Sequence, residues 1–446
     1  MPEISQLFLK EVKSVGLFGL GRSNLAVLDL LPEGTPVTLR SDGKIDRGAI
    51  PSGLKIKAIL EGAEALENID EDMLILSPSV RRERPEIALA LKSGRRVTSD
   101  AELFFEKVGA PVYAVSGSDG KSTVATLTSL LLDEGTALCG NIGVPMLRAL
   151  SGDSSRYVTE LSSFMLRYLS PDCERAVLTN VTENHLDWHA DFEEYLAAKL
   201  GIYKNAREPV LNFDDATVRE NMTVGVFAAV SDEADFSTLK KAVRAEVYYT
   251  AEGGYIKRCG EPYIEISSVK RRERHSIKNL LLALAMADGS HTDARRVATE
   301  FGGLPHRCEV VMTHGGITYI NSSIDTSPAR CRTTLSAQGA PTVVILGGRG
   351  KGVPFDGIRE PLMQIGRGVV LYGECREEIE RVLPEGLPTR HADTMDEAVR
   401  LAAGLARQGD TVLLSPAATS YDRYKSFEER GEDFKKSVKE YCEKHS

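Results

Sequence analysis

The sequence predicts an α/β protein of three domains, each built on a mainly parallel sheet covered by helices. Apolar strand segments alternate with helical patterns along the chain of 446 residues, which is typical of parallel sheets with helices on their faces. Two strands run into glycine-rich turns that open helices, at residues 19–24 and 117–123. At about 150 residues for each domain, the length also favours three. We expect the domains to span residues 1–107, 108–304 and 305–446.

Composition narrows the class of protein. Hydrophobic residues make up 42% and charged residues 27% of the chain, as in ordinary globular proteins, and no apolar run approaches the roughly 18 residues of a membrane span. The first residues, MPEISQLFLKEV, lack the pattern of a signal peptide. The net charge of −9 disfavours nucleic acid as a partner. The seven scattered cysteines form no CxxC pair and indicate a reducing compartment. We therefore expect a cytoplasmic protein that binds neither membranes nor nucleic acid.

The first domain begins with a strand predicted at residues 15–18, a glycine-rich turn of the Rossmann type and a helix. Asn24 replaces the third glycine of the GxGxxG fingerprint, which disfavours NAD. A nucleotide or diphosphate at the helix N-terminus is compatible with the turn, and a plain strand-to-helix turn is the alternative. Further strands are predicted at 36–39, 56–59 and 73–76, with Ser99 or Asp100 capping a later helix. The candidate ligand-binding residues are Gly19, Leu20, Gly21, Arg22 and Ser23.

The strongest motif lies between the apolar strand VYAV and a helix. It comprises Gly117, Ser118, Asp119, Gly120, Lys121, Ser122 and Thr123. Backbone N–H groups of such a turn bind phosphates, the lysine reaches the outer phosphates, and Ser122 or Thr123 is placed to hold Mg²⁺. Because Val115 stands where the general P-loop spacing has glycine, the motif is a P-loop variant. The alternative is a tight turn with an incidental lysine.

Three polar positions follow in the same domain. Glu160 ends a strand predicted at 157–160, where a carboxylate at the ligand-binding edge suits Mg²⁺. His185 and His189 follow a strand predicted at 176–180 with a spacing compatible with zinc, but no third ligand pattern accompanies them, and Mg²⁺ already accounts for His185. Lys199 lies on a predicted helix, where a solvated lysine is the usual interpretation.

In the rest of the chain, predicted strands and helices alternate again. A strong helix is predicted at 275–289, and residues 298–311, with Gly-Gly and Pro, are typical of a linker between domains. From about His306 onward, strand and helix patterns form a third α/β unit that ends in a charged helix.

Six motifs occur in a characteristic order: SGSDGKST, GNIGVP, ELSSFML, TENHLDWH, YLAAKLGIY and LPHR. Together they resemble the ATP-dependent Mur ligases of peptidoglycan synthesis, which share their fold with folylpolyglutamate synthetase. The resemblance implies a Rossmann-like N-terminal domain for a UDP-linked substrate, a central P-loop ATPase-like domain for ATP, and a Rossmann-like C-terminal α/β domain for an amino acid. It also implies amide ligation through an acyl phosphate.

The resemblance also implies a role for particular residues. Lys121, Glu160, His185 and Lys199 are expected to be catalytic, and two Mg²⁺ ions are expected on Ser122, Glu160, His185 and Lys199, with Lys199 carbamylated. Asn279 and Arg307 match positions near ATP. Asn141 and Ser162 match positions that contact the muramoyl or carboxylate end of the substrate. Thr326, Lys351, Ser420 and Phe427 match positions that hold the incoming amino acid.

The C-terminal stretch at 413–434 narrows the resemblance to members that add D-glutamate to UDP-N-acetylmuramoyl-L-alanine (UDP-MurNAc-L-Ala). The expected partners are therefore UDP-MurNAc-L-Ala, D-glutamate and ATP, acting on a monomer. Two alternatives remain open. One is a related ligase with another amino acid or acceptor, and the other is a P-loop ATPase or binding module that has lost ligation.

Two segments depart from the family pattern. Residues 321–327 read NSSIDTS where the family usually has NDSKATN, so Ser322 and Ile324 replace an aspartate and a lysine. Asp325 and Arg330 lie close by and are expected to take over the lost polar contacts. Ser79 replaces a usual glycine in the loop that binds the uridine diphosphate, and residues 40–42 do not align securely with the uracil-binding positions.

Overall fold

The structure is a computed structural model that describes residues 12–132 and 134–445. The chain forms two compact units, one ending at Phe301 and one beginning at Gly302. The first unit contains two sheets and the second contains one, which confirms the predicted α/β class with three sheets. The interpretation of the N-terminus rests largely on residues 1–11, which lie outside the described residues. The three-domain boundaries stay predictions.

The first sheet carries the predicted glycine-rich turn. Its elements are β1 (Val15–Phe18), α1 (Arg22–Leu28), β2 (Pro36–Ser41), β3 (Lys55–Glu61), β4 (Met73–Leu76), α2 (Pro85–Lys92), β5 (Arg96–Thr98) and α3 (Asp100–Lys107). The five strands are parallel in the order β3-β2-β1-β4-β5. Ser99 is the N-cap of α3, where its hydroxyl accepts from the Glu102 N–H. The order reverses between β1 and β4, and such a switch point is where open α/β sheets bind ligands.

The second sheet carries the P-loop. Its elements are β6 (Val112–Ser116), α4 (Lys121–Leu131), β7 (Thr136–Gly140), α5 (Met146–Ala149), β8 (Arg156–Glu160), α6 (Ser163–Leu166), β9 (Asp172–Leu178), α7 (Phe192–Leu200), β10 (Asn205–Asn212), α8 (Ala216–Asn221), β11 (Ala228–Ser231), α9 (Phe236–Ala242), β12 (Val247–Glu252), β13 (Tyr255–Arg258), β14 (Glu261–Glu265), α10 (Arg274–Met286) and α11 (Ala294–Glu300).

The nine strands of this sheet follow the order β14-β13-β12-β11-β10-β9-β6-β8-β7. The pairs β12–β13 and β13–β14 are antiparallel, and the other pairs of the sheet are parallel. Since β6 lies between β8 and β9, the loops that leave both flanking strands meet the P-loop. The strand predicted at 176–180 ends earlier, at Leu178, because Thr179 and Asn180 leave the ladder and bond to the P-loop.

Apolar packing fixes both faces of the second sheet. Helices α4 and α10 cover one face, where Leu127, Leu131 and Leu281 are buried in one cluster. The other face shares a cluster with the first sheet, in which the Phe104 and Tyr157 rings meet edge to face at 5.3 Å. Each such buried side chain contributes about 1.5–3 kcal/mol of apolar burial. The two sheets of the first unit are therefore held together by a shared core.

The second unit contains the third sheet. Its elements are β15 (Glu309–His314), β16 (Ile317–Asn321), α12 (Pro328–Ser336), β17 (Thr342–Gly347), α13 (Arg359–Ile365), β18 (Gly366–Tyr372), α14 (Arg376–Glu380), β19 (Thr389–His391), α15 (Met395–Leu405), β20 (Thr411–Leu414) and α16 (Phe427–Lys444). The six strands follow the order β15-β16-β20-β17-β18-β19, with β15 antiparallel to β16. In the described part of the chain, no helix is both long and apolar enough to cross a membrane.

Candidate active site

The P-loop is fastened to the loop that follows β9. The Ser118 N–H donates to the Asn180 carbonyl at 2.8 Å, and the Asp119 N–H donates to the Asn180 side-chain oxygen at 2.9 Å. The Thr179 hydroxyl donates to the Asp119 carbonyl. The N-cap of α4, Gly120, brings no capping side chain, so the first-turn N–H groups of α4 form an anion-binding end.

Two glycines of this loop have no room for a side chain. Gly117 has a φ of +141°, and a Cβ there would lie 1.9 Å from the Thr179 hydroxyl oxygen. Gly120 has a φ of +78°, and its Cβ would lie 2.6 Å from the side-chain oxygen of Asn279. Asn279, on α10, therefore lies against the P-loop, and its contact with the nucleotide stays a prediction.

Lys121 folds back over the loop that it follows. Its ammonium donates to the Ser118 carbonyl at 2.7 Å. The Ser118 hydroxyl is itself held 2.7 Å from the Tyr195 hydroxyl and accepts from the Thr182 N–H at 2.9 Å. Ser122 and Thr123 lie in the first turn of α4, where Ser122 is buried. The cation is thus already placed above the anion-binding end of the helix.

Glu160 supplies a carboxylate with an open acceptor. It is 1% exposed and lies opposite Val115 on the neighbouring strand. One oxygen accepts from the Asn141 amide at 2.8 Å, and the other is buried with no hydrogen-bond partner within the described residues. A buried carboxylate oxygen without a hydrogen-bond partner is rare in proteins, and a bound ligand would satisfy it. Beside a phosphate-binding loop, a hard cation such as Mg²⁺ fits this donor set.

Lys199 is not a solvated helix lysine, because only 2% of it is exposed. Its amine donates to the Gly117 carbonyl at 2.6 Å and lies 4.8 Å from the centre of the Tyr195 ring. No carboxylate among residues 12–132 and 134–445 forms an ion pair with it. Burial, helped by the charge of Lys121, lowers the pKa of Lys199 to about 7. A large fraction of this amine is therefore neutral near neutral pH.

His185 shares this neighbourhood. Its pKa is lowered, chiefly by desolvation and further by the charges of Lys121 and Lys199. His189 points elsewhere, with one ring nitrogen 3.0 Å from the Ser163 hydroxyl and the other 3.4 Å from Glu194. In the part of the chain that the structure describes, no three His, Cys, Asp or Glu side chains are grouped as metal ligands. His189 thus belongs to the packing of the loop rather than to a shared site with His185.

The turn of the first sheet is closed around Asn24. This side chain is fully buried, and its amide donates to the Gly19 carbonyl at 2.7 Å and to the Phe18 carbonyl at 3.2 Å. Gly19 has a φ of +80°, and a Cβ there would lie 2.8 Å from the Cβ of Ser77. Asn24, which stands in the place of the third glycine, therefore stabilises the turn through these hydrogen bonds. Residues 20–23 remain at its accessible edge.

Three further positions singled out in the sequence form contacts within the protein. Arg40 is buried in an ion pair with Glu71 at 2.9 Å and so supports the far side of β2. The Ser162 hydroxyl caps α6 by accepting from the Met165 N–H at 3.3 Å. Asn141 is exposed beside Glu160, which it contacts.

In the second unit, the structure brings two of the predicted amino-acid-binding residues together. The Lys351 ammonium donates to the Thr326 hydroxyl at 3.4 Å, and partial burial, with the charge of Arg330, lowers the pKa of Lys351. Ser420 is buried and follows Thr419, which pairs with Arg349 in an antiparallel bridge. Phe427 opens α16, and its carbonyl accepts from the Ser323 hydroxyl at 2.7 Å. Arg307 lies near the start of this unit, half-buried.

The altered segment 321–327 is built into the fold of the second unit. Asp325 is 4% exposed and accepts from the Ser415 hydroxyl at 2.8 Å. Ser323 accepts from the fully buried Arg430 at 2.9 Å. Arg330 is exposed and donates to the Ile324 carbonyl at 3.3 Å. Of the two residues expected to replace the lost contacts, Arg330 has the accessible charge, whereas Asp325 is engaged in the fold.

Sequence reasoning missed the residues that hold the site. Thr179 and Asn180 anchor the P-loop, and Tyr195 binds Ser118. A signal existed for each. Two polar residues directly follow an apolar strand, and Tyr195 stands four positions before Lys199, hence on the same helix face.

A P-loop with a buried carboxylate and two lysines around it is typical of proteins that bind a nucleotide and act on its phosphates. Residues 115–287 match the family model described as the Mur ligase middle domain, and residues 306–418 match that of the Mur ligase glutamate ligase domain. The chain belongs to the Mur ligase family. It is therefore an ATP-dependent ligase that forms amide bonds.

Relatives are similar over nearly their whole length. The UDP-N-acetylmuramoylalanine–D-glutamate ligase of Acetivibrio thermocellus is 36% identical over 465 residues, covering 97% of both chains. That of Hahella chejuensis is 33% identical over 452 residues, covering 96% of this chain and 98% of its own. Among solved structures, the UDP-N-acetylmuramate–alanine ligase MurC of Thermotoga maritima has a TM-score of 0.56 at 18% identity, covering 97% of this chain and 99% of its own. The similarity to this solved structure shows a shared fold.

Proposed function

We propose that this chain adds D-glutamate to UDP-MurNAc-L-Ala, with hydrolysis of ATP to ADP and phosphate. The observation that carries the proposal is the near full-length identity of 36% to a ligase named for this reaction. The P-loop, Glu160, His185 and Lys199 of one unit and Thr326 and Lys351 of the other support it. The cysteines of the described residues are all free thiols, in keeping with the cytoplasm, where ATP is available.

The first step activates the acceptor. The carboxylate of the alanyl residue attacks the γ-phosphorus of ATP, and the bond to ADP breaks, which leaves an acyl phosphate. Such a transfer asks the protein mainly for positioning and charge neutralisation. The first-turn N–H groups of α4 and the Lys121 ammonium, which already lies 2.7 Å from the Ser118 carbonyl, bind the phosphates.

The donor set suits Mg²⁺, which would neutralise charge on the phosphate oxygens. Ser122 and Glu160 would hold one ion. His185 and a carbamylated Lys199 would hold a second. Carbamylation joins the neutral amine of Lys199 to the carbon of CO₂ with loss of one proton, and it converts the uncharged side chain into an anion. The burial of Lys199 and the absence of a partner carboxylate among the described residues support this assignment.

The second step forms the amide. The amine of D-glutamate attacks the acyl carbon, and the tetrahedral intermediate loses phosphate and a proton. Lys351 and the hydroxyls of Thr326 and Ser420 hold the two carboxylates of the amino acid by charge-assisted hydrogen bonds. The Phe427 carbonyl accepts from Ser323 in the segment that carries Thr326, and Arg330 adds a positive charge near Lys351.

We expect Lys351→Ala to raise the KM for D-glutamate far more than the KM for ATP, because the lost ammonium pairs with a carboxylate of the amino acid only. Steady-state kinetics with each substrate varied in turn measures this. Lys436→Ala is the matched control, since that lysine is 74% exposed and pairs with Glu440. Equal increases in both KM values would remove Lys351 from the amino-acid site.

Trp188, the only tryptophan of the chain, reports on the site. Its indole N–H donates to the Ser79 carbonyl at 2.8 Å, and its ring lies 4.5 Å from that of Phe164, which also contacts His185. We expect indole emission to change when UDP-MurNAc-L-Ala or Mg²⁺-ATP is added. A flat titration with both, in conditions where calorimetry shows binding, would place Trp188 away from the ligands and weaken the placement of His185.

The proposed function is tested by identifying the product. The wild-type protein is incubated with UDP-MurNAc-L-Ala, ATP, Mg²⁺ and isotopically labelled D-glutamate, and the uridine-containing products are analysed by mass spectrometry. We expect one new species that carries one labelled glutamate. Turnover of ATP without this species would contradict the proposal.

A further inference from the structure

The loop between β4 and α2, residues 77–84, contacts the loop that carries His185. The indole N–H of Trp188 donates to the Ser79 carbonyl at 2.8 Å. In return, the Arg81 guanidinium donates to the Trp188 carbonyl at 2.8 Å and lies 5.3 Å from the centre of the indole ring. Two hydrogen bonds and a cation–π contact thus join the first sheet to the His185 loop, both within the first unit.

Arg81 is itself held in place from the second sheet. Its other terminal nitrogen lies 3.3 Å from a Glu194 carboxylate oxygen. Glu194 also accepts from Arg167 at 3.1 Å and from the Ala190 N–H at 2.9 Å. A guanidinium presents its donors as a rigid fork, so binding Trp188 and Glu194 together fixes its orientation.

The His185 backbone depends on this loop. His185 has a φ of +55°, a conformation that a non-glycine residue keeps only where its surroundings impose it. Its carbonyl accepts from the N–H groups of Trp188 and His189, at 3.0 and 2.9 Å. Arg81 restrains Trp188, and Ser163 restrains His189 at 3.0 Å. These two neighbours therefore hold the turn on which His185 stands.

One side of the contact is open. A cavity of about 410 Å³ lies beside it, lined by Ser79, Arg81, Glu83, Arg84, Asp187 and Trp188. On that side Arg81 restrains Trp188 through its carbonyl and its ring, in addition to the bond from the indole N–H to the Ser79 carbonyl and the packing against Phe164. The other end of residues 77–84 touches the glycine-rich turn, because a Cβ on Gly19 would lie 2.8 Å from the Cβ of Ser77.

We propose that Arg81 is a positioning residue that couples the acceptor-binding turn of the first sheet to the His185 loop. The inference rests on the proposed function, in which His185 serves phosphoryl transfer, and on the expectation that the turn at residues 19–23 binds the UDP-linked acceptor. Removing Arg81 takes away the bond to the Trp188 carbonyl and the cation–π contact with its ring, which loosens the turn that holds His185 in its left-handed conformation. The chemical step then slows, while the D-glutamate site in the second unit keeps its own contacts.

The test compares Arg81→Ala, Arg81→Lys and Arg148→Ala in the full-length protein. Arg148 is the matched control, because its 3.1 Å bond to Asp29 also joins the two sheets of the first unit but lies on the exposed α1–α5 side. We expect Arg81→Ala to lower kcat about tenfold or more, as a misplaced catalytic group does, with an unchanged KM for D-glutamate. Arg81→Lys should recover little, since an ammonium lacks the fork. Arg148→Ala should retain the wild-type kcat.

Quenching of Trp188 by acrylamide, without substrates, gives a second readout. We expect quenching to increase in Arg81→Ala and Arg81→Lys and to stay unchanged in Arg148→Ala, with thermal unfolding confirming that each variant is folded. A wild-type kcat in either folded Arg81 variant, equal losses in Arg81→Ala and Arg148→Ala, or unchanged quenching would each overturn the proposal. If the wild-type protein forms no ligation product, the proposed function fails, and quenching alone then decides whether Arg81 restrains the loop. If Arg81→Ala does not fold, Arg81→Lys decides both readouts.

Discussion

Lys121→Ala is expected to abolish ligation while leaving the fold intact. The ammonium lies 2.7 Å from the Ser118 carbonyl, at the N-terminal end of α4, and no other lysine among the described residues bonds to that carbonyl, since Lys199 bonds to the Gly117 carbonyl instead. Loss of a positioned group that stabilises charge in the transition state lowers kcat by about 100-fold or more. The rate of ADP formation with all substrates present measures the loss.

Lys241→Ala is the control for this variant, because Lys241 is an exposed lysine on α9 of the same unit. Thermal unfolding of both proteins separates a loss of chemistry from a loss of fold. Activity of a folded Lys121→Ala within about tenfold of wild type, a difference of only about 1.4 kcal/mol, would mean that the P-loop lysine is not part of the reaction.

Lys199→Ala is expected to lose activity to a similar extent and to regain part of it when formate or acetate is added. The side chain is buried against Gly117 and Tyr195, so we expect the truncation to leave a cavity that admits a short carboxylate in the place of the proposed carbamate. Activity is measured at saturating Mg²⁺ over a range of formate concentrations. Lys121→Ala serves as the control, because formate does not replace a cation.

Carbamylation also predicts a dependence on pH and CO₂. The pKa of Lys199 is about 7, so the amine is protonated and unreactive below that pH and neutral above it. After removal of CO₂ at low pH, the activity restored by bicarbonate should therefore increase as the pH is raised through 7. A Lys199→Ala protein as active as wild type, without rescue, would return Lys199 to a purely structural role.

The parts of the site that follow directly from local sequence were predictable. Residues 117–123 predict a P-loop because glycine, lysine and hydroxyl residues follow an apolar strand. Glu160 was predictable as well, because it ends the neighbouring strand. Lys199 was harder, since nothing in a helix segment shows that its amine is buried. The family resemblance, not the local pattern, singled it out, and the structure explains it through the bond to Gly117.

Other features depend on distant segments and escaped prediction. Arg81 and Glu194 are separated by 113 positions in the chain, so no local pattern relates them. Asp325 looked available for ligand contacts because it is charged, yet Ser415, 90 positions away, draws it into the fold. Asn24 read as a defect of a glycine motif, whereas its amide satisfies three carbonyls of β1, the turn and β4. In each case the long-range hydrogen bond decides the role of the residue.

The central claim is that the P-loop unit activates an acceptor carboxylate for attack by D-glutamate, bound at Lys351 and Thr326. Phosphate release from ATP tests this most directly, measured in the presence of UDP-MurNAc-L-Ala with D-glutamate, with L-glutamate or with neither. Of the three reactions, we expect sustained phosphate release only in the one that contains D-glutamate, because only that amine completes the reaction and frees the site. Equal release in all three arms, or release that favours L-glutamate, would contradict the account.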